Sequence, residues 1–480
     1  MHMQYSSAAR RQKRIVTMLL IVLIAGAAGF AGGQWWMGYR YPMLKEPAFA
    51  NMNQSYNEIR NNYMGEFNSN SLIQGATAGM VSSLNDPYSV YYSGDQGKSF
   101  LQRYEDHFVG IGVEIRVEQG QFIINSTIKG APAEKAGVQA EDRIIEIDGE
   151  AVAGKRLEDI VGITRGEEGT KLRLTLLRPA AGETVKLEVT RGEVPVTTVS
   201  SSLQGDGVGI VAISRFSEST AKEFQRAVDA LEQQGMKGLL IDLRGNPGGL
   251  LMQTIDIASI LIPKDKPIVQ VVYKNEDRHY THRSKQSKEW TLPVVVLIDE
   301  NSASSSEVLA AALQANGAVL VGKKTFGKGV VQTFRQFKDE SVLKLTEAQW
   351  RTPEGNWIHK EGVKPDIEVS LPDYTKLPGL SMELELKEGD YGKEVRTAQQ
   401  MLSVLGYGKA AQEGIYDADT AAAVRAFQQT EGLEVDGVIR GGTVYRLHQR
   451  LAAKMEQEDT QRERGMKELE AHIRQEASQP

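Results

Sequence analysis

Apolar and polar positions change rhythm several times along the chain. Residues 15–33 form a run of 19 without a charge, long enough as a helix to cross a bilayer core of about 30 Å. Residues 34–97 mix apolar and polar positions and read as helical, with Ser71-Leu72-Ile73 opening a helix that Asp86-Pro87 ends. Short strands then dominate, over 112–117, 122–124, 143–148 and 172–177, with a helix at 131–136 closed by Gly137. Between 205 and 370 apolar runs (208–213, 239–243, 268–273, 294–298) alternate with amphipathic ones (220–233, 252–261, 305–315). Such alternation predicts an α/β layer structure with a largely parallel sheet. After a linker at 372–379, helical periodicity returns over 395–405 and 420–430. The stretch 452–480 is so rich in Glu, Lys, Arg and Gln that it reads as a solvated helix or charged tail.

The expectation is therefore a multidomain chain, part α/β and part α+β. Its expected segments are 1–14, 15–36, 37–97, 98–191, 192–372, 383–451 and 452–480. Arg10, Arg11, Lys13 and Arg14 precede the apolar run and Trp35 and Trp36 follow it. The positive-inside rule keeps those cations cytoplasmic, so 15–36 reads as a single-pass anchor with everything after it outside the cell membrane. A cleaved signal peptide is the alternative, with Ala25-Gly26-Ala27 as its small-residue site, but the run exceeds a signal core of about 7–15 residues.

Composition narrows the chemistry. With 41% hydrophobic and 25% charged residues the chain is a folding one, and a net charge of −6 gives no reason to expect nucleic acid. The absence of cysteine removes disulfides, thiolate metal sites and a cysteine nucleophile. The 7 histidines show no ligand spacing, so no metal and no cofactor are expected.

Two segments carry candidate chemistry. In 294–312 an apolar strand runs through Asn301-Ser-Ala-Ser304-Ser305-Ser306-Glu307 into an Ala-rich helix, placing a hydroxyl where free N–H groups favour a developing oxyanion. The same pattern suits an ordinary capping box of Ser304 with Glu307. Lys328 follows 24 positions after Ser304, between Gly327 and Gly329. A lysine serves a serine as base only when burial depresses its pKa, and Phe326, Val330 and Val331 offer that burial. Gln332, four positions on along an extended strand, lies on the same side, where its amide can orient the lysine nitrogen. Gly322-x4-Gly327-Lys328 imitates a phosphate-binding loop, but Gly329 stands where a magnesium-binding Ser or Thr belongs. A phosphate-binding enzyme is thus a distant reading, and a histidine triad lacks its motif.

Asn301-Ser-Ala-Ser-Ser-Ser-Glu307, Thr325-Phe-Gly-Lys-Gly-Val-Val-Gln332, Asp242-Leu-Arg-Gly-Asn-Pro-Gly-Gly249, Asn85-Asp-Pro-Tyr88 and Gly362-Val-Lys-Pro-Asp-Ile-Glu368 together resemble the carboxyl-terminal processing peptidases. The resemblance spans roughly residues 50–370. It implies that 192–372 is an α/β Ser–Lys protease core acting through an acyl-enzyme, with Ser304 as nucleophile, Lys328 as base and Gln332 as orienting residue. For the oxyanion it points to backbone N–H groups of Ser305, Gly248 and Gly249. Two departures stand out: the family separates serine and lysine by one more residue, in the 317–322 connection, and has Ala at the position of Ser305. Ser306 remains the secondary nucleophile.

Val109, Gly110, Ile111 and Gly112 resemble the carboxylate-binding loop of PDZ domains, which makes 98–191 an inserted PDZ-like domain for protein tails with apolar C-termini. Arg165 is the candidate for coupling tail binding to the core. Segment 383–451 resembles helical peptidoglycan-binding modules. A homodimer is the expected assembly, with 34–97 as its packing element. The rival reading is a catalytically silent PDZ scaffold tied to the cell wall, which needs neither Lys328 nor Gln332.

Overall fold

The structure, a computed structural model, describes residues 5–118, 120–179, 181–205, 207–275, 278–408 and 413–477. The first four residues of the expected cytoplasmic segment and the last three of the charged tail lie outside the described residues. The chain divides into two compact units, Met1–Asn85 and Asp86–Pro480.

In the first unit a helix runs over Tyr5–Arg40, and its Gln12–Arg40 part, which holds an 18-residue window of mean hydropathy 2.4, is long and apolar enough to cross a membrane. Two shorter helices follow, Pro47–Asn62 and Ser69–Ser82. Asn68 caps the latter by accepting the N–H groups of Asn70 and Ser71, which starts it two residues before the expected opening.

The second unit is built around a six-stranded sheet ordered Val199–Gln204, Val208–Ile213, Gly238–Asp242, Val294–Ile298, Val319–Gly322, Ile367–Glu368. Only the first pair is antiparallel. The three central strands are apolar on both faces, as a doubly covered sheet requires. On one face Val211, Ile213, Leu239, Ile241, Val296 and Ile298 pack against helices Thr220–Gln233, Leu251–Leu261 and Ser305–Gln314. Alternate residues, Ile210, Leu240, Val295 and Leu297, point to the opposite face.

That opposite face is covered by helix Thr460–Ala477, in the stretch expected to be a solvated tail. Leu469 is fully buried there, with Met466 and Ile473 beside it. Contact is so close that a Cβ on Gly465 would lie 2.8 Å from Leu297, and one on Gly238 2.9 Å from Ile473. The charged residues occupy the outer sides of the helix, and three apolar positions spaced by three and four supply the buried stripe.

A second, antiparallel sheet joins Val90–Tyr92, Val342–Arg351, Pro267–Tyr273, His279–Arg283 and Val330–Gln336. Two expectations are corrected here. Residues 268–273 leave the parallel sheet for this one, and 90–92, expected within a helical region, form a strand paired with Val342–Lys344. Between those elements in the chain comes a six-stranded sheet from Val113–Glu118 to Glu183–Thr190, with helices Pro132–Lys135 and Leu157–Thr164. Its core alternates along Lys171–Arg178, where Leu172, Leu174 and Leu176 are all buried. The C-terminal module packs three helices, Lys393–Val404, Ala418–Thr430 and Gly442–Gln457, around Phe427, Val424, Leu447 and Tyr416.

Candidate active site

Strand Val294–Ile298 ends in a turn organised by Asp299, whose carboxylate accepts the N–H groups of Gly245, Asn301 and Ser302. The chain then reaches Ser304 at φ 56°, ψ −113°, and enters helix Ser305–Gln314 directly. A non-glycine residue held there costs about 1–3 kcal/mol and persists only where neighbours over-determine it. Here Glu307 Oε2 accepts the Ser304 N–H at 2.8 Å. The neighbouring hydroxyls are spoken for: Ser302 donates to Leu243 O (2.8 Å), Ser305 to Gly249 O (2.9 Å) and Ser306 to Asn246 O (2.9 Å). Ser306 is also fully buried. Ser304 alone of the three adjacent serines donates its hydroxyl to no carbonyl among the described residues: it forms a capping box with Glu307, whose carboxylate reaches back to the Ser304 N–H, and the hydroxyl proton is left to the cleft.

That cleft, about 380 Å³, is lined by Ser304, Ser305, Gly248, Gly249, Lys328 and Gln332. The fully buried Glu307 ties its parts together, for besides the Ser304 N–H its carboxylate accepts Thr325 Oγ1 (2.5 Å), Gly327 N (2.7 Å) and Lys328 N (2.8 Å). One side chain therefore suspends the backbones of both Ser304 and Lys328. The rest of the Lys328-Gly329 backbone is held as tightly. Trp350 Nε1 donates to Lys328 O (2.8 Å), Gly329 N to His359 Nδ1 (3.3 Å), and Trp357 Nε1 to Gly329 O (2.8 Å). A Cβ at Gly329 would come within 2.7 Å of His359 N, which is why a glycine stands there.

The lysine side chain, by contrast, is held by packing. Its Nζ sits 5.1 Å from the centre of the Tyr88 ring, and among the described residues no carboxylate pairs with it. Burial first, and the cation of Lys344 second, push its pKa down to about 8, against the opposing pull of Glu307 and Asp86. Lys328 just before strand Val330–Gln336 and Val330, Val331, Gln332 and Phe334 within it line the same cleft, the strand's register shifting between Val331 and Gln332. Gln332 Nε2 donates to Thr346 Oγ1 (3.3 Å). Ser304, Lys328 and Gln332 thus share one cleft, with no hydrogen bond between the serine hydroxyl and the lysine among the described residues.

The opposite wall is the loop after strand Gly238–Asp242. A Cβ on Gly248 would meet Ala303 O at 2.7 Å, and one on Gly249 would meet Phe216 O at 2.1 Å, so glycine lets the first approach the serine turn and the second approach Phe216. Of the three expected oxyanion donors, Gly248 donates its N–H to Asn246 Oδ1 at 2.8 Å. The N–H groups of Ser305 and Gly249 donate to no protein acceptor among the described residues.

Arg244, in this loop, reaches across to the C-terminal helix. Its guanidinium binds Asp242 (2.6 and 2.9 Å), Asp459 (2.7 Å, twice) and Gln461 (3.2 Å). Burial works against its charge, but the two carboxylates outweigh that and raise its pKa. Sequence reasoning missed Asp459 altogether, since it lies 215 positions from Arg244.

In the inserted domain Ile111 is buried and Gly112 sits at φ 75° with no room for a side chain, its Cβ falling 2.3 Å from Ala131. Val109 and Gly110 end strand His107–Gly110, which pairs with Gly192–Pro195. Arg165 bridges Gly110 and lies 5.0 Å over the Phe108 ring, at the loop expected to bind carboxylate and not in the protease cleft.

Comparison with known proteins matches four family descriptions in order along the chain: Activating protease CtpB N-terminal domain at 41–96, PDZ domain at 123–178, Peptidase family S41 at 207–369 and peptidoglycan binding domain at 391–447. The carboxy-terminal processing protease CtpA of Bacillus subtilis is 41% identical over 438 residues, 91% of this chain and 93% of that one. CtpB of the same organism is 38% identical over 431 residues, 88% and 90% of the two chains. Among solved structures, a photosystem II D1 C-terminal processing protease is 28% identical, covering 68% of this chain and 89% of its own, with a TM-score of 0.40. The chain belongs to peptidase family S41, among the serine-type carboxy-terminal processing proteases, with a PDZ domain and a C-terminal peptidoglycan-binding domain.

Proposed function

We propose that this protease is anchored by helix Tyr5–Arg40, works on the outer side of the cell membrane near peptidoglycan, and cuts proteins whose free apolar C-termini enter the PDZ loop at Val109–Gly112. Ser304 is the nucleophile and Lys328 its base. One observation carries this reading: the one hydroxyl of the serine run that donates to no carbonyl among the described residues shares a cleft with a lysine whose pKa is near 8 and whose backbone hangs from the same carboxylate.

The chemistry follows from the geometry. At pH 7 a base of pKa about 8 is neutral in roughly one molecule in ten, against roughly one in three thousand for an ordinary lysine. The neutral amine takes the Ser304 proton as Oγ attacks a backbone carbonyl, and Gln332, on the same wall, orients that amine. The oxyanion receives the N–H groups of Ser305 and Gly249, at a helix N-terminus that favours negative charge. Lys328 then returns the proton to the leaving amine, and water releases the acyl-enzyme along the reverse path.

The test is degradation of an unstructured protein with an apolar tail by the full chain, Ser304→Ala and Lys328→Ala. Loss of cleavage in both is expected, and full activity in either removes the dyad. Ser306→Ala is expected to keep cleaving, since its hydroxyl donates to Asn246 O and is buried.

A further inference from the structure

The PDZ domain and the C-terminal module border a common groove of about 1060 Å³. On the PDZ side its wall includes Ile115 and Val117 of strand Val113–Glu118 and Leu157 and Glu158 of helix Leu157–Thr164; on the module side it includes Glu383 and Tyr445. The Arg116 guanidinium reaches across, 5.5 Å from the Tyr445 ring. Strand Val113–Glu118 is an end strand of its sheet, so one edge is open to pairing.

Resting on the reading that the loop before this strand grips a tail carboxylate, the direction of a bound tail is determined. Its last residue lies at Gly112, and preceding residues run antiparallel along 113–118. At about 3.3 Å per residue the tail reaches Val117 about five residues from its end, so about the fourth to sixth residues enter the groove against the module. Charge decides what they meet. Of the four cations bordering the groove, Arg116 pairs with Glu141, Lys155 with Glu150 and Arg156 with Asp159, all outside its wall, while Arg440 pairs with Asp436 and with Glu434 of the wall itself. Glu158 and Glu383, exposed on opposite walls, have no ion pair among the described residues.

We propose that this groove is an upstream specificity subsite, in which the C-terminal module and the PDZ domain together select a substrate tail carrying Lys or Arg about four to six residues before its free end. Two exposed carboxylates contribute roughly 0.2–1 kcal/mol each to such a cation, a preference of about two- to thirtyfold over Glu at low salt.

Fluorescent tails are titrated into the full-length Ser304→Ala chain in detergent, read by anisotropy. One tail has four residues, and two have eight residues with the same last four and either Lys or Glu fifth from the end. The Lys tail is expected to bind more tightly than the Glu tail. Glu158→Gln with Glu383→Gln erases that difference while leaving the four-residue tail unchanged. Tyr445→Ala weakens both eight-residue tails only. Equal binding of the Lys and Glu tails, survival of the difference in the double variant, or displacement of all tails by soluble peptidoglycan fragments without any charge preference overturns the subsite. Amidated tails separate the two readings: if amidation changes nothing, the carboxylate grip itself fails, whereas loss on amidation without a Lys preference removes the subsite alone.

Discussion

Lys328→Met is expected to abolish cleavage and yet stabilise the protease core at neutral pH. The lysine is held largely buried with a pKa of about 8, down from an ordinary 10.5, and met by no carboxylate among the described residues. At pH 7 both folded and unfolded chains carry the charge, so the folded state bears the whole desolvation cost. A shift of about 2.5 units corresponds to about 3 kcal/mol as an upper bound. The sign follows from proton counting. Between pH 8 and 10.5 the unfolded state binds more protons than the folded state, so the wild type gains stability as pH rises through that window and loses it as pH falls. Methionine fills similar space without a charge and feels none of this. Thermal unfolding of wild type and Lys328→Met at pH 7 and again near pH 10.5 should therefore show a stabilisation of the variant of about 1–3 kcal/mol at pH 7 that shrinks at the higher pH. A variant less stable than wild type at pH 7, or a difference independent of pH, would refute the picture of a costly buried ammonium.

With Lys328 as the proposed base, kcat/KM should rise about tenfold per pH unit below about 8 and then level off, and Lys344→Met should move that rise to higher pH by removing the cation that helps depress Lys328. Asp459→Asn should lower kcat with KM nearly unchanged and cost about 1–3 kcal/mol, because Arg244 loses a bidentate partner and its loop carries the Gly249 N–H; steady-state kinetics with a melting curve would expose a purely structural role if kcat per folded molecule did not change. Leu469→Ala should destabilise the core by about 2–5 kcal/mol in a denaturant titration, a loss that a solvated tail would not suffer.

Much of the site was legible because its signals are local. The buried strand at Val294–Ile298 running into serines and an Ala-rich helix announced the turn at Ser304, and the glycines around Lys328 announced a close-packed backbone. Which serine is free was not legible, since that depends on carbonyls of Leu243, Asn246 and Gly249 far away in sequence. Nor was the commitment of the Gly248 N–H, which is decided by the side chain of Asn246. The helix Thr460–Ala477 was misread because its average composition is polar, although Met466, Leu469 and Ile473 at intervals of three and four were a readable apolar stripe. Strand Val90–Tyr92 is three residues long and owes its state to pairing with Val342–Lys344, which no local pattern contains.

The late position of helix Thr460–Ala477 has a consequence for how the enzyme comes into being. A chain growing from its N-terminus completes the central sheet by Glu368 but leaves Leu240, Val295 and Leu297 wet until about a hundred further residues have been made. At about 5–20 residues per second that interval lasts roughly 5–20 s. Throughout it Arg244 lacks Asp459, so the loop beside the serine turn gains its last partner only after the C-terminal module has been synthesised, a delay built into vectorial synthesis itself.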